Sequence, residues 1–318
     1  MNTLNNSTGF SPFQLHLGRS QLPTTKARAP IYVSTSFVFN HSADVFENRV
    51  ASLEGGVAVI GTSSGQSAPF LAISTIASAE DNIVSTSYLY GGVSNSSSVT
   101  FKNYGIGVKF LQDDDPVAFE AAIDEKTKAI YVESIGNPKY NVAPISDLAQ
   151  VAHEHGIPLI VGNTFGMGNY LSRPISLGAD NVVHSTTKWI DGHGTTIAGV
   201  VIDSEFHDPV LNEAYGSSVF AGKSRVDLMR DLGPSLNPFG AFLLIQGSET
   251  LSLRAQRHSN NALALATVLS FGVQDAIGVA GQLIDNLHLA SNLTNVGDAK
   301  TLSVHPATTT HQQLMIDE

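Results

Sequence analysis

The sequence contains no cysteine. Disulfides, thiolate metal sites and a cysteine nucleophile are therefore excluded, and any sulfur chemistry must come from a substrate. Positive charge is scarce as well: 17 Lys and Arg stand against 28 Asp and Glu, a net charge of -11. Nucleic acid and anionic membranes reward clustered lysine and arginine, so neither is expected as a partner. No apolar run approaches the ~20 residues of a membrane-spanning helix. Residues 1–12 are polar and lack the basic and apolar regions of a secretory signal. A cytoplasmic location is expected, with small molecules and other subunits as partners.

What is present is a chain of 318 residues, 42% hydrophobic and 14% charged, enough for a large core and a second, smaller unit. Residues 1–43 read as an irregular arm, because apolar and polar residues alternate there without helical spacing. Seven short apolar runs follow: Val57–Thr62, Asn82–Thr86, Val108–Leu111, Ala129–Glu133, Pro158–Val161, Asn181–Val183 and Ile197–Ile202. Between them lie helical stretches. One follows the turn Ser63–Ala68 as far as Ser78, another is capped by Asp115-Pro116 and runs to about Glu125, and a third runs from Ile145 to Gly156 with Leu148, Ala149 and Ala152 on one face. Strands alternating with helices predict an α/β fold with a mostly parallel seven-stranded sheet covered on both faces. This large domain is expected over 44–247. A small α+β domain is expected over 248–318, with a helix from Ser248 to Ala266 carrying Arg254 and Arg257 on a polar face, and strands at Val268–Gln274 and Thr301–His305.

Chemistry concentrates in Asn181–Gly194. The strand end delivers Ser185, Thr187 and Lys188 into a turn closed by Gly192 and Gly194. A solvated lysine, with a pKa of about 10.4, is a poor nucleophile at neutral pH. A carbonyl-reactive one needs a partly desolvated pocket. The Ser63–Ala68 turn adds an anion site, because free backbone N–H groups and a helix dipole point to one spot. That turn alone also allows an α/β nucleotide-binding protein, but the G-x-G-x-x-G spacing is absent. His153 and His155 sit two apart at a helix end and diverge, so no metal site is expected.

Several motifs occur together: Ala29–Tyr32, Ser63–Gln66, Tyr88–Gly92, Glu133–Pro138, the Lys188 segment, Leu232–Pro234, Asn295–Lys300 and His305–Ala307. In this combination and order they resemble the Cys/Met metabolism enzymes that use pyridoxal 5'-phosphate (PLP), and within them the O-acetylhomoserine sulfhydrylases. The resemblance implies the fold type I architecture of PLP-dependent transferases and γ-replacement on an O-acylated homoserine. It implies that Lys188 bonds covalently to the cofactor and then moves protons. Gly65 and Gln66 would donate backbone N–H groups to the phosphate, with Ser185 and Thr187 adding hydroxyls. Tyr90 would stack on the pyridine ring and serve catalysis, Asn137 would bond the phenolic oxygen with Glu133 holding it, and Asn295 would contact substrate. A homo-oligomer is implied too.

The chain also departs from that pattern. The resemblance calls for an aspartate before Asn163-Thr164-Phe165, paired with the ring nitrogen, where this chain has Gly162. A Tyr-x-Arg segment that reaches the neighbouring subunit's phosphate is missing where Ala43 meets Asp44. Further segments are shortened ahead of Phe220 and absent between Ala266 and Thr267, and the arginine expected to clamp the substrate carboxylate is not found before Glu318. These losses leave open a PLP fold with little turnover, or a C–S lyase, and predict weaker cofactor retention and a smaller oligomer.

Overall fold

A computed structural model describes residues 42–205, 219–265, 291–292, 296–298 and 302–303. The seven expected strands form one sheet: β1 (Ala58–Thr62), β2 (Asn82–Thr86), β3 (Gly107–Leu111), β4 (Thr127–Glu133), β5 (Leu159–Gly162), β6 (Asn181–Ser185) and β7 (Gly199–Asp203). Their spatial order is β1-β7-β6-β5-β4-β2-β3. Only β7 runs against the rest, pairing antiparallel with β1 and β6, while β3, β2, β4, β5 and β6 are parallel neighbours. The expected α/β, mostly parallel architecture is what the chain adopts.

Strand residues alternate between two apolar layers, as a period of two requires for a sheet covered on both sides. Ile130, Val132, Leu159, Val161, Val182, Val200 and Ile202 belong to one layer, with Phe46, Leu148 and Leu244. Ala129, Tyr131, Ile160, Val183 and Val201 belong to the other, with Leu71, Phe101 and Phe220. The first layer is covered by α1 (Ser42–Glu54), α5 (Ile145–Glu154) and α7 (Pro238–Glu249). The second is covered by α2 (Ser67–Ile76), the short α3 (Gly91–Asn95) with the π turn and helical turn that continue it to Asn103, and α6 (Val219–Ser224). Helix α4 (Pro116–Ala122) starts as its sequence dictates: Asp115 accepts a hydrogen bond from Val117 N at 3.2 Å, and proline fills the first turn.

Two expectations need correction. Ser42 and Ala43, read as the end of the arm, open α1, and the rest of the arm lies outside the described residues. The helix expected from Ser248 is two helices: α7 runs through that position to Glu249, and α8 (Leu251–Leu265) begins after Thr250. Of the expected small-domain strands, Val268–Gln274 lies outside the described residues. Within Thr301–His305, β9 (Leu302–Ser303) pairs in parallel with β8 (Ser291–Asn292).

Helix α1 ties the large layer together. Phe46 is fully buried, and α1 packs on both α7 and β1. Its Arg49, also fully buried, donates to Ile245 O at 3.0 Å and to Ser248 Oγ at 2.8 Å. Glu47 accepts from Gly61 N at 2.7 Å and pairs with Arg225. Phe46→Ala should lower the free energy of urea unfolding by about 3–5 kcal/mol. Val117→Ala, at a position 70% exposed, should change it by less than about 0.5 kcal/mol. Similar losses for the two variants would contradict the core placed here.

Candidate active site

Functional side chains gather where open α/β sheets usually place them, at the carboxyl ends of the parallel strands. The turn after β1, the segment after β2, the ends of β4 and β5, and the loop joining β6 to β7 all meet there. The β6–β7 loop carries Lys188. It is wound into a turn in which Lys188 N donates to Ser185 O at 3.2 Å, Asp191 N to Thr186 O at 2.9 Å and Gly192 N to Lys188 O at 2.8 Å. The Lys188 amine is half-buried, and desolvation lowers its pKa below the ordinary lysine value. That is the direction a nucleophilic amine requires.

Two groups lock this loop from beneath. Buried Asp191 accepts from Thr195 N and Thr195 Oγ1, each at 2.8 Å. Arg254 of α8 donates to Trp189 O at 2.7 Å, Ile190 O at 3.4 Å and Gly247 O at 2.8 Å. Arg254 thus turns inward rather than lying on a polar face. Burial pushes its pKa down to about 10, with Asp191 opposing the shift. Gly192 is required here twice over: its φ is +67°, and a Cβ would stand 2.0 Å from Arg254 Nη1.

The anion turn lies directly against Ser185. An ideal Cβ on Gly65 would fall 2.4 Å from Ser185 Oγ and 2.9 Å from Ser185 Cα. Nothing larger than glycine fits between the turn and the lysine loop. Gln66 Nε2 donates to Gly92 O at 2.8 Å, tying the start of α2 to the start of α3. A Cβ on Gly92 would in turn meet Tyr90 Cε1 at 2.7 Å. Gly65, Gln66, Tyr90 and Ser185 are therefore brought together, at the amino end of α2, where backbone N–H groups favour an anion. The Thr187 hydroxyl is already engaged: it donates to Ala198 O at 3.1 Å and accepts from Ala198 N at 3.0 Å.

Glu133 ends β4 and accepts from Tyr90 N at 3.0 Å. It was expected to hold Asn137. The hydrogen bond it forms instead fixes the backbone of Tyr90. Burial raises the Glu133 pKa to about 8, the Tyr90 N–H opposing the shift. Asn137 is half-buried and precedes a cis proline in the turn that follows. Asn295 lies outside the described residues. His153 bonds Asp180 at 2.9 Å, while His155 Nδ1 turns to Val151 O at 3.0 Å.

Sequence reading missed a buried polar chain behind the lysine strand. His184 Nε2 lies 2.5 Å from Glu54 Oε1, Asn163 Nδ2 donates to the same oxygen at 3.3 Å, and Ser134 Oγ donates to Asn163 Oδ1 at 2.7 Å. This chain links the ends of α1, β4, β5 and β6. The signal was available: a histidine inside an otherwise apolar strand needs a buried partner.

Comparison with known proteins decides what this arrangement belongs to. The family model described as Cys/Met metabolism PLP-dependent enzyme matches residues 38–269. This chain belongs to that family. Its similar relatives include the homocysteine/cysteine synthase of Saccharomyces cerevisiae, 42% identical over 96% of this chain and 89% of the yeast protein. The homocysteine synthase of Schizosaccharomyces pombe is 45% identical over 98% and 91%, and the O-acetyl-L-homoserine sulfhydrylase 1 of Thermus thermophilus 42% over 97% and 92%. A crystal structure of an O-acetylhomoserine (thiol)-lyase from Campylobacter jejuni superposes with a TM-score of 0.87 at 28% identity, covering 98% of this chain and 92% of that one; its lysine carries a pyridoxyl phosphate. The Saccharomyces alignment spans 396 positions against 318 residues here, so that relative carries segments this chain lacks.

The residues fit the family's cofactor. The cradle that a Gly65 Cβ would fill lies against Ser185, whose carbonyl accepts from Lys188 N at 3.2 Å, and the Lys188 amine is desolvated. Gly65→Ala should therefore weaken PLP binding tenfold or more in equilibrium dialysis. Gly222→Ala, whose Cβ would meet nothing within 4 Å, should leave it unchanged. Equal affinities for the two variants would remove the Gly65 turn from the site.

Proposed function

We propose that this chain replaces the acyloxy group of an O-acylated homoserine with sulfide, forming homocysteine and releasing the carboxylate. The γ C–O bond breaks with its electron pair leaving on the carboxylate, and hydrosulfide supplies the electrons of the new C–S bond. The observation that carries this reading is the convergence of Lys188, the Gly65 turn and Tyr90 at the strand ends of a chain that belongs to the Cys/Met family.

When bound, PLP spreads the electron pair left at the substrate's α carbon. The protein's own part is placement and proton movement. The Gly65–Gln66 backbone and Ser185 would hold the phosphate, Tyr90 would cover the ring, and Asn137 would bond its phenolic oxygen. Lys188 would hold the cofactor, and its amine would take the α proton of the substrate and return protons along the side chain. Asn295 contacts the amino-acid substrate. Desolvation supports this proton traffic, because a lysine with a lowered pKa is neutral more often near pH 7 and so accepts a proton more readily. The reading includes a homo-oligomer in the cytoplasm. Among the described residues no helix is long and apolar enough to cross a membrane.

Borohydride fixation of PLP on the purified chain, followed by peptide mass spectrometry, should place the pyridoxyl group on Lys188, and Lys188→Ala should abolish it. Because the amine's pKa is lowered, uptake should reach half its maximum at a lower pH than for a solvated lysine. Labelling at another lysine, or none at saturating PLP, sinks the proposal.

A further inference from the structure

Gly162 stands where the resemblance calls for an aspartate, and the structure shows what occupies the space. Glu133 and Gly162 are register partners on β4 and β5. A Cβ built on Gly162 would come within 3.0 Å of Tyr131 Oη and 3.1 Å of Glu133 Cγ. Its φ lies outside the left-handed region, so the backbone does not require glycine. The Glu133 and Tyr131 side chains crowd the volume a side chain at 162 would enter, and would have to give by a few tenths of an ångström to admit one. Glu133 is also the carboxyl whose Oε1 fixes the backbone of Tyr90, the residue read as covering the ring. Among the described residues no lysine, arginine or histidine is paired with it.

We propose that Glu133 is the ring-nitrogen partner of PLP in this chain, supplying from β4 the carboxyl that position 162 on β5 lacks. The proposal rests on the reading of Lys188 as the PLP lysine. Burial raises the Glu133 pKa to about 8, so near pH 7 the carboxyl favours the neutral acid unless a cationic partner faces it. Pyridine nitrogen brings a lone pair. The acid brings the one proton the pair shares, and after transfer a carboxylate faces a protonated ring nitrogen with no change in net charge. No further reactant is needed. A buried carboxylate left alone is costly, and the same carboxylate beside a protonated nitrogen is compensated. The pairing stabilises the protonated ring, the form that draws electrons from the substrate.

The direct test is the ring-nitrogen NMR signal of nitrogen-15-labelled PLP bound to the parent chain and to Glu133→Gln, with the PLP dissociation constant measured on both. Glutamine keeps an oxygen for Tyr90 N but carries no acidic proton. The parent should show a protonated ring nitrogen, and Glu133→Gln an unprotonated one with affinity reduced tenfold or more. Adding Gly162→Asp to Glu133→Gln should restore part of both. An unchanged nitrogen signal and affinity in Glu133→Gln, while the parent binds PLP on Lys188, overturns this assignment alone. A parent that takes up no PLP overturns the functional reading and this assignment with it. If Glu133→Gln does not fold, Gly162→Asp in the parent decides: no gain in affinity supports a position already filled, and a tenfold gain contradicts it.

Discussion

The site depends on taking one amine partly out of water while fixing the backbone that carries it. Desolvation lowers the Lys188 pKa, but a long side chain leaving solvent loses conformational freedom as well, so the loop beneath must be rigid. That rigidity comes from outside the loop. Arg254 collects the carbonyls of Trp189, Ile190 and Gly247, and Asp191 gathers Thr195. The Gly65 turn packs against Ser185, with no room for a methyl group between them. Behind the strand, Glu54, His184, Asn163 and Ser134 join four element ends by hydrogen bonds within the core. Removing one member would leave a buried polar group without its partner, at a cost of about 1–3 kcal/mol.

Much of the fold was legible because the chemistry of each strand is local. Short apolar runs bounded by Gly, Pro, Asn and Ser placed all seven strands within two residues of their observed bounds. The resemblance grouped Lys188, Ser185, Gly65 and Tyr90, and the structure sets Gly65 against Ser185 and Gly92 against Tyr90. What failed to show in the sequence was long-range. Arg254 sits on a helix whose spacing suggests a solvated arginine, and only the folded chain brings it under the loop more than sixty residues away. Helix α7 was not foreseen, because its apolar residues surround most of its circumference and leave no simple amphipathic pattern. The hydrogen bonds of Glu133 to Tyr90 N and of Thr187 to Ala198 were hidden too, since the partners lie 43 and 11 residues away along the chain.

The Gly162 difference shows how a lost side chain can be absorbed. Read from the sequence, a missing aspartate removes a charge. In the structure, neighbouring β4 places the Glu133 side chain, through its Cγ, and the Tyr131 hydroxyl against position 162, which is the ground for proposing Glu133 as the replacement. Parallel register makes this possible, since residues at the same height on adjacent strands point to the same face. The strands of the described sheet and the Lys188 loop are each continuous.

The proposed reaction requires that this shortened chain still turns over an O-acylated homoserine. The most direct measurement is homocysteine formation from O-acetylhomoserine and sulfide by the PLP-loaded chain, followed together with acetate release. Equal amounts of homocysteine and acetate, dependent on both sulfide and Lys188, are predicted. A fully loaded, folded chain that forms neither product, or that releases acetate without homocysteine, would contradict it.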